Sequence, residues 1–197
     1  MLTIAWDVDD VLNDFMNVWY IHKWLPEHPQ CNTPFVSLVE NPPHQLLGVS
    51  KEEYLASLDE FRLSTAFQNV KPVAEILRWF VAHGSKAHHV ALTAVPSAAA
   101  HVSGQWVMRH FGAWMRTFHF IPSYRKNIDD VGYDKSKVDY IKRTDIIDVL
   151  VEDNPDQLIG LDGIHKQGLL IPRPWNRAKR NVGQVLAELT KLVEGKE

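Results

Sequence analysis

The sequence predicts an α/β fold, a Rossmann-like doubly wound parallel sheet with a small helical cap inserted after the first strand. Three observations predict it. Short apolar runs rich in β-branched residues end abruptly in polar or small residues, most are followed by a stretch of helical periodicity, and one long aromatic- and proline-rich segment interrupts that alternation after the first run.

Taken in order, the expected strands are Leu2 to Trp6, His89 to Thr93, Thr117 to Ile121, Ile147 to Val151 and Gly168 to Ile171. Their continuous apolar character suits a parallel sheet covered by helices on both faces. The expected helices of this core run roughly Val73 to Ala82, Ala98 to Phe111, Lys137 to Lys142 and Gly183 to Val193, with Gly84 and Gly112 as stops after the first two. Residues 14–69 break the rhythm and carry helical signals only, so they are expected to form the cap, with 1–13 and 70–197 as the core. Within the cap, Ser50 and Glu53 have the spacing of a capping box that opens a helix through Tyr54, Leu55 and Leu58. The piece from Pro26 to Pro43 reads as an ordered irregular loop.

At 197 residues the chain has room for one well-buried core and a small appended unit. A net charge of -3 offers no general attraction to polynucleotides or anionic membranes, and Cys31, the sole cysteine, excludes an intramolecular disulfide and suits a reducing compartment. No apolar stretch approaches the ~20 residues that span a bilayer, and the first residues lack the features of a signal peptide. A cytoplasmic protein is expected, with no polynucleotide or membrane partner; nothing in the sequence fixes its oligomeric state.

Three carboxylates, Asp7, Asp9 and Asp10, follow the first strand in IAWDVDDVLND. Ligands of parallel α/β sheets bind at the carboxyl ends of strands. Like charges ~4 Å apart repel by about 4 kcal/mol at an effective dielectric near 20, so the cluster implies a cation. Mg²⁺ takes one or two carboxylates plus substrate oxygens, and a second acidic source follows the fourth strand as Glu152 and Asp153. Thr93 ends another strand with a hydroxyl, and Lys135, in YDKSK, lies just before a helix that Ser136 would cap.

These four motifs, DVDDVLNDF, LTAVPS, DKSK and VEDNPD, resemble in order those of the haloacid dehalogenase (HAD) superfamily, and within it the 5'(3')-deoxyribonucleotidase-like group. The resemblance covers most of the chain and implies a HAD-like fold and a Mg²⁺-dependent phosphatase. It implies that Asp7 attacks phosphorus to form an aspartyl-phosphate, and that Asp9 serves as general acid and then base. The Asp7 carboxylate, the Asp9 carbonyl and Asp153 would hold Mg²⁺, with Glu152 behind them. Thr93 and Ala94 would bind the phosphoryl oxygens, and Lys135 would stabilise their charge, with Lys137 as its rival.

Two positions depart from that group's pattern: Asp10 stands where glycine is common, adding negative charge near the phosphate, and Glu152 stands where aspartate is common. The expected substrate is a small phosphomonoester, a nucleoside monophosphate first, for which Phe15, Trp19, Tyr20, Trp24 and Phe35 would offer stacking surfaces. A sugar-phosphate or other metabolite phosphatase, and a non-catalytic binding protein on the same fold, are the alternatives. Each residue also has a plainer reading: aspartates cap helices, helically spaced aromatics pack cores, and His22, His28, His88 and His89 read as structural. The basic stretch IPRPWNRAKR reads equally as a solvated helix start or a substrate contact.

Overall fold

The computed structural model describes residues 1–123, 125 and 133–195; the expected core segment 70–197 therefore includes stretches outside the described residues. Five strands, β1 (Thr3–Trp6), β2 (His88–Val95), β3 (Met115–Pro122), β4 (Val149–Glu152) and β5 (Gln167–Leu170), form one sheet in the order β3-β2-β1-β4-β5. Every neighbouring pair is parallel. The order reverses at β1, which places the topological switch between β1 and its flanking strands. Each expected strand is present, with ends shifted by one or two residues.

Both faces of the sheet are covered. Trp6, Trp79, Phe80, His89, Phe111 and Met115 belong to the larger core, and Ala5, Leu92, Ile121, Tyr140, Ile141 and Leu150 form the other. Strands buried on both sides have no polar alternation, which is why they read as apolar runs. Among the described residues no helix is long and apolar enough to cross a membrane.

Residues 14–69 contain only helical elements and irregular chain. These are α1 (Phe15–Trp19), which continues through Tyr20–Trp24 into α2 (Leu25–Glu27), a short turn at Phe35–Ser37, α3 (Lys51–Leu63) and α4 (Thr65–Gln68). The ends of this segment meet. Asn13 bridges Pro72, and the Val73 amide donates to the Leu12 carbonyl at 2.9 Å. Ser50 caps α3 by accepting from the Glu53 amide at 3.1 Å.

The remaining helices are α5 (Ala74–His83), α6 (Ser97–Phe111), α7 (Lys137–Thr144) and α8 (Val182–Glu194). Gly84 and Gly112 do follow α5 and α6, but with φ of -61° and -60° neither adopts the left-handed stop conformation. Gly84 is required by closeness instead, since a Cβ there would lie 2.6 Å from Cδ1 of Trp114. The left-handed stops are Asp145 after α7 and Gly195 after α8.

Candidate active site

The first two carboxylates of the site are brought together by strand register. Trp6 pairs with Val151, so the residues just beyond them, Asp7 and Glu152, emerge side by side at the carboxyl ends of β1 and β4. The Asp7 amide donates to the Val151 carbonyl at 2.9 Å and fixes that crossing. One carboxylate oxygen each from Asp7, Glu152 and Asp153 lies within 4.8 Å of the others, and all three residues are buried.

Lys137 sits between the two strand ends. Its Nζ is 2.7 Å from Oδ1 of Asp7 and 2.5 Å from Oε2 of Glu152, and its side chain is only 1% exposed. The second contact is an aligned hydrogen bond. The first is an ion pair out of hydrogen-bond alignment, because Asp7 Oδ1 is buried without a hydrogen-bond partner among the described residues. Oε1 of Glu152 accepts the amides of Asp153 and Asn154, both at 3.1 Å. Glu152 is thereby saturated by a lysine and two amides, while Asp7 Oδ1 has the Lys137 ammonium alone.

Of the two lysines weighed, this geometry brings Lys137 to the carboxylates and leaves Lys135 away from them. Ser136 caps α7, accepting from the Asp139 amide at 3.0 Å, which makes Lys137 the first helical residue and turns its side chain into the site. Lys135 precedes the cap, is exposed and does not line the cleft.

Burial, with Glu152 adding and Lys137 opposing, raises the Asp7 carboxyl to about 6. Burial and the charges of Glu152, Asp10 and Asp7 push Asp153 well above its ordinary value. Buried carboxylates that repel one another lack positive charge. The donor set of Asp7 and Asp153, buried carboxylate oxygens within 4.8 Å of each other, fits a hard divalent cation.

Asp9 and Asp10 lie on the wide turn Val8–Leu12, whose regular geometry is broken at these two residues. Asp10 has φ of 64°, the left-handed region in which glycine is at ease and aspartate is tolerated. Its Oδ1 accepts the Met16 amide at 3.0 Å. Burial drives its carboxyl up to about 8 against the pull of Arg173.

Both oxygens of Asp9 are held. Oδ2 accepts Nε and Nη2 of Arg62 at 3.1 and 2.9 Å, and Oδ1 accepts Nδ2 of Asn13 at 3.2 Å. Arg62 also contacts Asp59 at 3.2 Å and lies over the Phe15 ring at 4.2 Å. Asp59 in turn accepts two bonds from Arg125, at 2.6 and 2.8 Å.

The carboxylates Asp7, Asp9, Asp10, Asp59, Glu152 and Asp153 line one cleft of about 830 Å³ with Lys137, Arg62 and Arg125, together with Thr93, Ala94, Met16, Tyr54, Leu55, Leu58 and Gln157. A second cavity of about 740 Å³, bordered by Val18, Val70 and Lys71, contains none of the three clustered carboxylates. The expected stacking platforms are largely absent from the cleft. Trp19, Tyr20 and Trp24 are buried in the core, Phe35 packs edge-on to Trp175, and the Phe15 face is covered by Arg62. Helical spacing favoured exactly this packing role over an exposed one.

The basic stretch after β5 divides: Arg177, Lys179 and Arg180 are exposed, whereas Arg173 turns inward with Trp175 and Asn176. Arg173 donates to the Asp10 carbonyl at 2.6 Å and to Asp14 at 3.1 Å, Trp175 Nε1 to Asp153 Oδ2 at 2.7 Å, and Asn176 to the Asp153 carbonyl at 2.7 Å. This inward part braces both acidic loops from behind. Arg62 and Arg125 carried no motif in the sequence, and Asn13, although inside DVDDVLNDF, carried no expected role; all three are identified by their positions here.

Neither a protein-family model nor a curated protein sequence matches the chain. Solved structures do. A haloacid dehalogenase-like family hydrolase of Streptococcus pneumoniae aligns with a TM-score of 0.59 at 11% identity, covering 95% of this chain and 90% of its own. A Xanthomonas campestris hydrolase of the same description aligns at 0.57 and 10% identity, covering 99% and 97%. YfnB of Bacillus subtilis, described as a HAD-hydrolase and solved bound to magnesium, aligns at 0.60 and 13% identity, covering 98% of each. The chain therefore has the parallel α/β fold of haloacid dehalogenase-like hydrolases over nearly its full length.

Proposed function

We propose that the chain is a magnesium-dependent phosphomonoester hydrolase that works through an aspartyl-phosphate on Asp7. The observation that carries this reading is the convergence of Asp7, Asp153 and Lys137 at two adjacent strand ends, opening on one cleft with Thr93 and Asp9. The likeness in fold to hydrolases of this kind supports it.

Asp7 supplies the nucleophile. Lys137 holds it ionised and lies where it would also meet the phosphoryl oxygens, which Thr93 and Ala94 would bind from the end of β2. Asp7, the Asp9 carbonyl and Asp153 would hold Mg²⁺, which when bound offsets the repulsion between nucleophile and phosphate. Trp175 and Asn176 orient Asp153 for that role. In the first step a bond forms between Asp7 and phosphorus, the bond to the leaving oxygen breaks, and Asp9 gives that oxygen its proton. In the second, water attacks phosphorus, its proton passes to Asp9, and Asp7 is released. Residues 14–69 act as the cap that excludes water and selects the leaving group.

A nucleoside monophosphate is the substrate that the order of the motifs favours, and it rests on that order alone. The panel that tests the function includes it: p-nitrophenyl phosphate, common 5'-nucleotides and sugar phosphates, each with Mg²⁺ and with chelator, for the wild type and Asp7→Asn. Metal-dependent release lost in the variant is the expected result. Release that survives Asp7→Asn, or no turnover of any ester, contradicts the reading and favours a binding protein.

A further inference from the structure

Asp9 is held by a residue from the other side of the cleft. Arg62 lies on α3, 53 positions along the chain, and directs two donors at the same oxygen, Oδ2. The guanidinium is buried, only 8% of its side chain being exposed. A buried charge is costly unless it is paired, and here each guanidinium nitrogen has a carboxylate partner: Asp9 takes Nε and Nη2, Asp59 takes Nη1, and the group lies over the Phe15 ring. Asp59 is tied in turn to Arg125, which also donates to Ser123 Oγ at 3.1 Å, just beyond β3. The result is a chain of ion pairs running from the β1 loop to α3 and back to the core.

We infer that Arg62 is a positioning residue that aims the Asp9 carboxyl at the leaving-group oxygen, and that Asp59 and Arg125 transmit docking of residues 14–69 to that aim. This rests on the proposed role of Asp9. Arg62 directs two donors at Oδ2, whereas Oδ1 meets the single Asn13 donor and keeps a lone pair to carry the proton. When Oδ1 gives it to the leaving oxygen, the carboxylate that remains is already paired with a guanidinium. In the second step Oδ1 accepts the proton of the attacking water. The charge that Asp7 loses on phosphorylation passes to the leaving oxygen, where the proton from Oδ1 neutralises it, and hydrolysis of the acyl phosphate returns it to Asp7. Asn13, donating to Oδ1 from the β1 side, limits rotation of the carboxyl about its own bond.

Leaving-group dependence separates positioning from a structural role. An alkyl phosphate needs a proton on its leaving oxygen; p-nitrophenyl phosphate expels a stable anion and scarcely does. General acid catalysis contributes about 10²- to 10⁴-fold, so Asp9→Asn should lower kcat/KM for an alkyl phosphate by that range and for the nitrophenyl ester far less. Arg62→Met should reproduce the selectivity, with a loss of about 10²-fold on the alkyl ester, the scale of a misplaced catalytic group, and less than about threefold on the nitrophenyl ester. Arg62→Lys, which restores a charge without the fork, should fall between. Asp59→Asn leaves Arg62 in place and should show the same selectivity more weakly, so a poorly folding Arg62→Met would not end the test. Equal losses on both esters, or a change in KM alone, would overturn the inference provided Asp9→Asn is selective. If Asp9→Asn is itself unselective, the role of Asp9 fails first and the inference with it.

Discussion

Replacing Lys137 by methionine should cost about 3–5 kcal/mol of stability, the usual consequence of removing one partner from a buried ion pair. Lys137 lies 2.7 Å from one carboxylate and 2.5 Å from another, with a side chain 1% exposed beside Glu152 at 1%. At an effective dielectric near 20 each attraction is worth about 6 kcal/mol, opposed by several kcal/mol of desolvation for each ion. Methionine keeps the volume and removes the charge, leaving Asp7 and Glu152 facing each other unneutralised. Chemical denaturation at neutral pH, followed by circular dichroism, reads the loss. Because protonating either carboxylate relieves the repulsion, the deficit should shrink as the pH falls. Catalysis should drop about 10²- to 10³-fold, as when one donor to a developing oxyanion is removed. A variant within about 1 kcal/mol of the wild type would refute the reasoning, since it would mean that the triad is solvated.

Three further outcomes are expected. Lys135→Ala should change turnover less than about twofold, because that side chain is exposed outside the cleft; a loss comparable to that of Lys137→Met would restore the lysine expected from the motif. His89 is buried, donating from Nε2 to the Gly84 carbonyl at 2.9 Å and accepting from Trp6 Nε1 at 3.1 Å, and burial pushes its pKa from 6.5 to about 4. The fold binds the neutral ring, so its contribution is complete above about pH 6.5 and falls by about 3 kcal/mol as the pH drops towards 4; denaturation of wild type and His89→Gln across that window should differ by this slope. Gly84→Ala should destabilise by about 1–3 kcal/mol through collision with the packed Trp114 ring, read as a lowered melting temperature; an unchanged one would show that the ring has room to move.

The fold was legible because double burial writes itself into the sequence. DVLVE and HVALTA cannot alternate when helices cover both faces, and the acidic strand ends Asp7 and Asp153 follow from that placement. What stayed hidden depends on geometry that spacing does not encode. Lys135 and Lys137 differ only in which side of a helix cap they occupy, and Ser136 decides it. Gly84 reads as a helix stop but is fixed by Trp114, a contact made in space. Asp10 is a charge in the sequence, but only the structure shows its left-handed φ and the bond from the Met16 amide to its Oδ1. Arg62 reaches Asp9 from a helix whose sequence carries no catalytic signature, and the aromatics of α1 and its continuation serve the core because their spacing matches a buried helical face.

The most direct test of the account is to trap the covalent intermediate. The protein is mixed with an activated phosphomonoester and Mg²⁺, quenched in acid within the first turnovers, and digested for mass spectrometry. The account predicts a single phosphoryl adduct on the peptide carrying Asp7, labile to hydroxylamine as an acyl phosphate must be, and absent from Asp7→Asn. An adduct on another residue, or steady turnover with no adduct at any quench time and water as the sole nucleophile, would contradict it.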